Sequence, residues 1–179
     1  MNSDLRIRIS ISGLRRQLVD LLETNNIRLA VAESCTGGLL TGLLTELPGS
    51  SAYIDHGVVT YSNQSKVTLL NVSEQTLEKH GAVSEEVAKE MAIGVLKLSD
   101  SDLAISITGL AGPSGGSEEK PVGTVCFAVT NGEDTRTFTD IYKAGKRQEV
   151  RHEALTGAME KTINFLQKED VLEHVIEII

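Results

Sequence analysis

Three short runs, RLAVAE (28–33), HGVVTYS (56–62) and DLAISITGL (102–110), are apolar or β-branched and bounded by turn-prone residues, so each reads as a strand. Between them the apolar spacing changes to a helical period. Leu14, Leu18, Leu21 and Leu22 mark a helix over 11–25 that closes at Asn25-Asn26, and GLLTGLLTEL (38–47) is helical up to Pro48-Gly49. A helical turn containing Lys66 follows HGVVTYS. Ser84 caps EEVAKEMAIGVLKLS (85–99), with Glu85 and Glu86 in the first turn, where the helix dipole favours acids, and an apolar stripe through Val87, Met91, Val95 and Leu98. Strands alternating with helices in this way predict an α/β layered sheet.

VGTVCFAVT (122–130) and TRTFTDIYK (135–143) are two more strands, separated by the turn Asn131-Gly132, and read as a hairpin. A hairpin makes the sheet mixed rather than wholly parallel. A last helix spans 146 to about 168, with Ala154, Leu155, Ala158, Met159, Ile163 and Leu166 inward. The tail EDVLEHVIEII (169–179) is amphipathic, suited to packing on the domain or on another copy.

The length of 179 residues suits one domain, here taken as 1–179 with its core over about 10–168. A formal net charge of -8 without clustered Lys or Arg argues against a nucleic-acid surface, and 3% aromatics without Trp leave few platforms for stacking bases. Cys35 and Cys126 lie far apart, and with four scattered histidines they show no metal-ligand spacing. No apolar run approaches the roughly 20 residues of a membrane helix, and MNSDLRIRIS lacks a leader's apolar region. The expected address is the cytoplasm, with both thiols reduced and no membrane partner.

ESCTGG (33–38) occupies a strand-to-helix turn, where unpaired backbone N–H groups can hold an anion or oxyanion. The same residues also suit a helix cap and a tight glycine turn. The chain has neither a G-x-x-x-x-G-K-[ST] loop nor a G-x-G-x-x-G turn after a strand, and Glu33 directly before Ser34 breaks the G-x-S-x-G pattern. A nucleophilic Ser34 therefore needs a base from elsewhere. His56, His80, His152 and His174 lie in no telling context. In TYSNQSK, Tyr61 ends a strand and Lys66 falls on the next turn, so both can face the sheet edge that carries Ser34.

A lysine with the reference pKa of about 10.4 is neutral at pH 7 in only about one molecule in a few thousand, so burial or a nearby cation must lower it. TGLAGPSGG (108–116) again ends a strand, and its glycines let backbone approach a ligand closely, with Thr108 and Gly109 able to offer a hydroxyl and an N–H. Arg147 and Arg151 in KRQEVR stand at i and i+4, suited to a phosphate fork or a surface ion-pair patch.

Together and in this order, ESCTGG (33–38), PGSSAY (48–53), GVVTYSNQSK (57–66), HGAVS (80–84), TGLAGPSGG (108–116), KPVGTV (120–125) and GKRQEVR (145–151) resemble the CinA C-terminal family. Its active members are nicotinamide-nucleotide amidases, the PncC or NMN deamidase enzymes. The resemblance runs over about 10–168 and looks like a stand-alone member. It implies a three-layer α/β/α sandwich around a mixed, mostly parallel sheet, no metal or organic cofactor, and a homo-oligomer, with a dimer expected. It also implies hydrolysis of nicotinamide mononucleotide to nicotinate mononucleotide and ammonia. By motif, Ser34 is the nucleophile, Tyr61 and Lys66 its activating partners, and Thr108 the threonine that completes the site.

These expectations agree with the chemistry of the residues. A ring nitrogen bearing positive charge makes the carboxamide carbon easier to attack, leaving the protein to activate Ser34 and hold the oxyanion. Thr36, Gly37 and Gly38, or Gly109, are expected to supply N–H donors. Glu33, Gly112 and Arg147 are expected to help bind substrate, with Arg147 on the phosphate. Cys35 is a rival nucleophile, although the side chain following a nucleophile in a turn points away. The alternative from another class is a non-catalytic nucleotide- or partner-binding module of the same fold.

Overall fold

The computed structural model describes residues 11–143 and 146–176. Five strands form one sheet in the order β2-β1-β3-β4-β5. They are β1 (Leu29–Glu33), β2 (Ile54–Val59), β3 (Leu103–Gly109), β4 (Thr124–Thr130) and β5 (Thr135–Ile141). β1 pairs in parallel with β2 and β3, while β4 runs antiparallel to β3 and to β5. Four strands therefore share one direction and only β4 opposes them. Among the described residues six α-helices accompany the sheet: α1 (Ile11–Thr24), α2 (Leu39–Thr45), α3 (Asn63–Leu70), α4 (Glu74–His80), α5 (Glu85–Leu98) and α6 (Arg147–Ile176).

The period-2 alternation of the strands separates large from small side chains. Leu29, Val31, Leu103, Ile105, Ile107, Val125, Phe127 and Val129 join the core formed with α1, α2 and α6. Ala30, Ala32 and Ala104 face the other way and pack with α3, α4 and α5, while Cys126 and Ala128 meet Ala88 and Ala92 of α5. Small side chains on this second face let α5 lie close to the sheet. Ser106 Oγ donates to Ala88 O at 2.6 Å, which satisfies a buried hydroxyl on the helix backbone. Helices on both faces of a mixed sheet give the expected sandwich.

Several boundaries differ from the sequence reading. β2 stops at Val59, so Tyr61 lies in the loop beyond the strand rather than at its end. The hairpin connection is four residues, 131–134, because Thr130 already pairs with Thr135, and Asn131 Oδ1 accepts from the N–H groups of Glu133 and Asp134. α4 escaped the sequence reading. Its signals were present: Ser73 accepts from Thr76 N as N-cap, Glu74 opens the helix and Lys79 and His80 close it. α6 continues through Ile176, so the backbone of the tail is helical that far. What the tail's side chains pack on lies outside the described residues, as do residues 1–10, on which the reading of a missing leader rests.

Candidate active site

The C-terminal ends of β1, β2 and β3 bring three loops to one edge of the sheet. β1 leads to β2 on one side, and the chain then returns to place β3 on the other. Open α/β sheets bind ligands at such switch points, beyond the carboxyl ends of the strands. Ser34 follows β1 directly, its N–H donating to Ile107 O at 2.9 Å. Since Glu33 pairs with Ile107, Ser34 and Thr108 are neighbours across the ladder.

Strand parity decides what each residue of the turn meets. Glu33 and Cys35 point toward α2 and the large-residue core, whereas Ser34 points toward α3. Glu33 is fully buried and accepts from Gly38 N, Leu40 N, Thr41 N and Thr41 Oγ1 at 2.8–3.2 Å. Its carboxylate thus caps α2, which has no side-chain cap at Gly38. Glu33, expected to help bind substrate, is thus placed on the start of α2. The same bonds engage Gly38 N, and Gly37 N donates to Ser34 O at 3.1 Å. Both glycines have positive φ, +62° and +91°, which the turn requires.

Cys35 sits in the core with its thiol against Gly109: a Cβ built on Gly109 would lie 3.1 Å from Cys35 Sγ and 2.9 Å from Thr124 O. Burial pushes the Cys35 thiol up to about 11, so it is no thiolate at neutral pH. Gly109 is therefore needed for close packing beside the turn.

Lys66 is 1% exposed, and its Nζ donates to Ser34 Oγ at 3.1 Å and to Thr60 O at 2.8 Å. The placement begins with SNQS: Ser62 caps α3 by accepting from Ser65 N, while Ser65 Oγ bonds the Ser62 backbone. The cap of α3 thus lies two residues beyond Thr60, whose N–H donates to Glu33 O, and Lys66 falls one turn into the helix, facing the sheet. Burial holds the Lys66 ammonium below the usual lysine range. Among the described residues no carboxylate pairs with it.

The other expected residues are less uniformly placed. Thr108 is buried beside Ser34, with its hydroxyl donating to Ala82 O at 2.7 Å. Tyr61 is 62% exposed, and its hydroxyl accepts from Arg147 Nη2 at 2.7 Å rather than meeting Ser34 or Lys66. Arg147 also donates to Gly112 O at 2.9 Å, so it bridges the loops after β2 and β3. One turn on, Arg151 Nη2 donates to Thr36 O at 2.7 Å. One face of α6 therefore ties all three loops of the site. The i, i+4 spacing of the arginines was legible; their carbonyl partners were not.

The family model of the CinA C-terminal domain matches residues 11–166. The chain belongs to this family. It is 47% identical over 149 residues to a nicotinamide-nucleotide amidohydrolase PncC from Shigella flexneri, a match covering 82% of this chain and 89% of that protein. It is 48% identical over 152 residues to a CinA-like protein from Chlorobium limicola, covering 83% of this chain and 35% of that one. The chain thus spans about a third of the length of such CinA-like relatives. Among solved structures, a CinA superfamily protein from Klebsiella pneumoniae superposes with a TM-score of 0.85 at 36% identity, covering 89% of this chain and 99% of that one. A competence/damage inducible protein from Agrobacterium tumefaciens gives 0.84 at 40%, covering 88% and 95%. Among the described residues no helix is long and apolar enough to cross a membrane.

Proposed function

We propose that this chain is an amidohydrolase that converts nicotinamide mononucleotide to nicotinate mononucleotide and ammonia through a covalent Ser34 intermediate. The observation that carries the reading is the buried Lys66 Nζ, 3.1 Å from Ser34 Oγ and without a carboxylate partner among the described residues. A lysine that loses its proton readily, in contact with a hydroxyl, suits a general base and its nucleophile. The likeness to the Shigella amidohydrolase supports the substrate.

Neutral Lys66 takes the Ser34 hydroxyl proton as Oγ attacks the carboxamide carbon. The N–H groups of Cys35 and Thr36, which among the described residues donate to no backbone carbonyl, hold the oxyanion. The tetrahedral species collapses with cleavage of the C–N bond, and the Lys66 ammonium returns its proton to the departing nitrogen, releasing ammonia. Water, deprotonated by Lys66, then cleaves the acyl-serine ester and frees the carboxylate, and Ser34 regains its proton. Thr108 stands beside the nucleophile. Tyr61, Gly112 and Arg147 form the rim, with Arg147 toward the substrate phosphate.

The test is ammonia release from nicotinamide mononucleotide by wild type and Ser34→Ala, with nicotinamide riboside alongside. Release by wild type alone, stronger with the phosphorylated substrate, is the expected result. Equal release by Ser34→Ala removes the serine mechanism. No release by wild type replaces the enzyme with a nucleotide-binding module.

A further inference from the structure

We infer that Arg151 is a positioning residue that polarises the Ser34 turn and strengthens its oxyanion donor, an inference that rests on the serine reading above. Arg151 Nη2 donates to Thr36 O at 2.7 Å, and the N–H of the same peptide unit, on Gly37, donates to Ser34 O at 3.1 Å. The Ser34 carbonyl belongs in turn to the peptide unit that carries the Cys35 N–H. A guanidinium charge thus stands at the head of a relay of two peptide groups that ends on the N–H following the nucleophile. Each hydrogen bond withdraws electron density from the peptide it reaches, so the terminal N–H becomes a stronger donor.

Three further observations fit this role. Arg151 has no carboxylate partner among the described residues, and its Nε is buried without a hydrogen-bond partner, so no ion pair offsets the charge. A Cβ built on Gly37 would lie 3.4 Å from Arg151 Nη2, which places the guanidinium in contact with the turn. The neighbouring Arg147 is exposed and bonds Tyr61 and Gly112 instead. The two arginines of KRQEVR therefore divide their work, Arg147 at the rim and Arg151 against the turn.

The experiment compares Arg151→Met and Arg151→Lys with wild type and Ser34→Ala, measuring kcat and KM for nicotinamide mononucleotide, the pH profile of kcat/KM and the thermal unfolding midpoint. Removing an oxyanion donor outright typically costs about 10²–10³ in rate, so weakening one should lower kcat by about tenfold or more. The expected result for Arg151→Met is that loss in kcat with KM and the ionisation limb of the profile little changed. Arg151→Lys, which keeps the charge, should recover part of it. If Arg151→Met does not fold, an intermediate kcat for Arg151→Lys upholds the inference. A wild-type kcat in either variant that folds, or a loss confined to KM, overturns it. Activity in Ser34→Ala equal to wild type, or none in wild type, sinks the serine reading itself.

Discussion

Lys66 Nζ meets Ser34 Oγ at 3.1 Å across 32 positions of sequence, reaching from the first turns of α3 to the end of β1. The contact is nearly dry, with Lys66 1% and Ser34 8% exposed. Nothing acidic among the described residues steadies the ammonium, which donates to a hydroxyl and a carbonyl.

That environment sets a pH dependence for activity. The base must be neutral to act, so kcat/KM should rise with pH through an ionisation below the usual lysine range and then level off. Lys66→Met should abolish this limb along with nearly all ammonia release. A flat profile for wild type across neutral and mildly alkaline pH would remove Lys66 as the base.

The same burial sets a pH dependence for stability, with a definite sign. The Lys66 pKa is lower folded than unfolded, so between the two values the unfolded chain binds more protons and stability rises with pH. Lys66→Met removes that term. Its unfolding free energy relative to wild type should be most favourable near neutrality and should decline as pH climbs toward the ordinary lysine value. Urea denaturation of both proteins over this range reads the difference; a pH-independent gap would contradict it.

Glu33→Gln should destabilise the fold rather than merely slow turnover. The carboxylate accepts four bonds from the start of α2, and an amide would turn a donor group toward some of those donors. Such a buried mismatch costs about 2–4 kcal/mol. The measurement is the urea midpoint at constant slope.

Both thiols should be silent in the folded protein. Burial raises the Cys35 and Cys126 pKa values, and the Cys35 side chain packs away from the Ser34–Lys66 contact. A thiol reagent at neutral pH should modify neither until denaturant is added, and Cys35→Ala should keep amidase activity. Inactivation by stoichiometric labelling of Cys35 would overturn this placement.

Gly94→Ala should lower stability even though alanine favours a helix by about 1 kcal/mol. A Cβ on Gly94 would lie 2.1 Å from Leu70 O, where α3 ends against α5. The shift must propagate along α3 toward Lys66. A lower unfolding midpoint together with a lower kcat is expected, and a midpoint above that of wild type would refute the clash.

Much of this protein is written locally. The leucine spacing of α1, the Ser84 cap of α5 and the buried strands around Val31 and Ile105 follow from periods of 3.6 and 2 and from the chemistry of helix ends. The turn ESCTGG and the helical turn containing Lys66 are equally legible, because both rest on residues within a few positions of one another. Pairing Ser34 with Lys66 was readable as a juxtaposition of motifs along one sheet edge.

Tertiary structure alone decided which groups those motifs meet. Three neighbours, Glu33, Ser34 and Cys35, look alike as candidates in sequence, yet strand parity sends the first to the α2 backbone, the second to Lys66 and the third into the core. The Lys66 ammonium is taken out of water only when α3 lies over β1, and only then does desolvation lower its pKa. Arg147 and Arg151 declare a shared helix face, but their acceptors, the Gly112 carbonyl, the Tyr61 hydroxyl and the Thr36 carbonyl, lie in loops 35, 86 and 115 positions away. Periodicity reports which side of an element is buried; it carries no information on distant partners, because those contacts exist only once the sheet has ordered its strands.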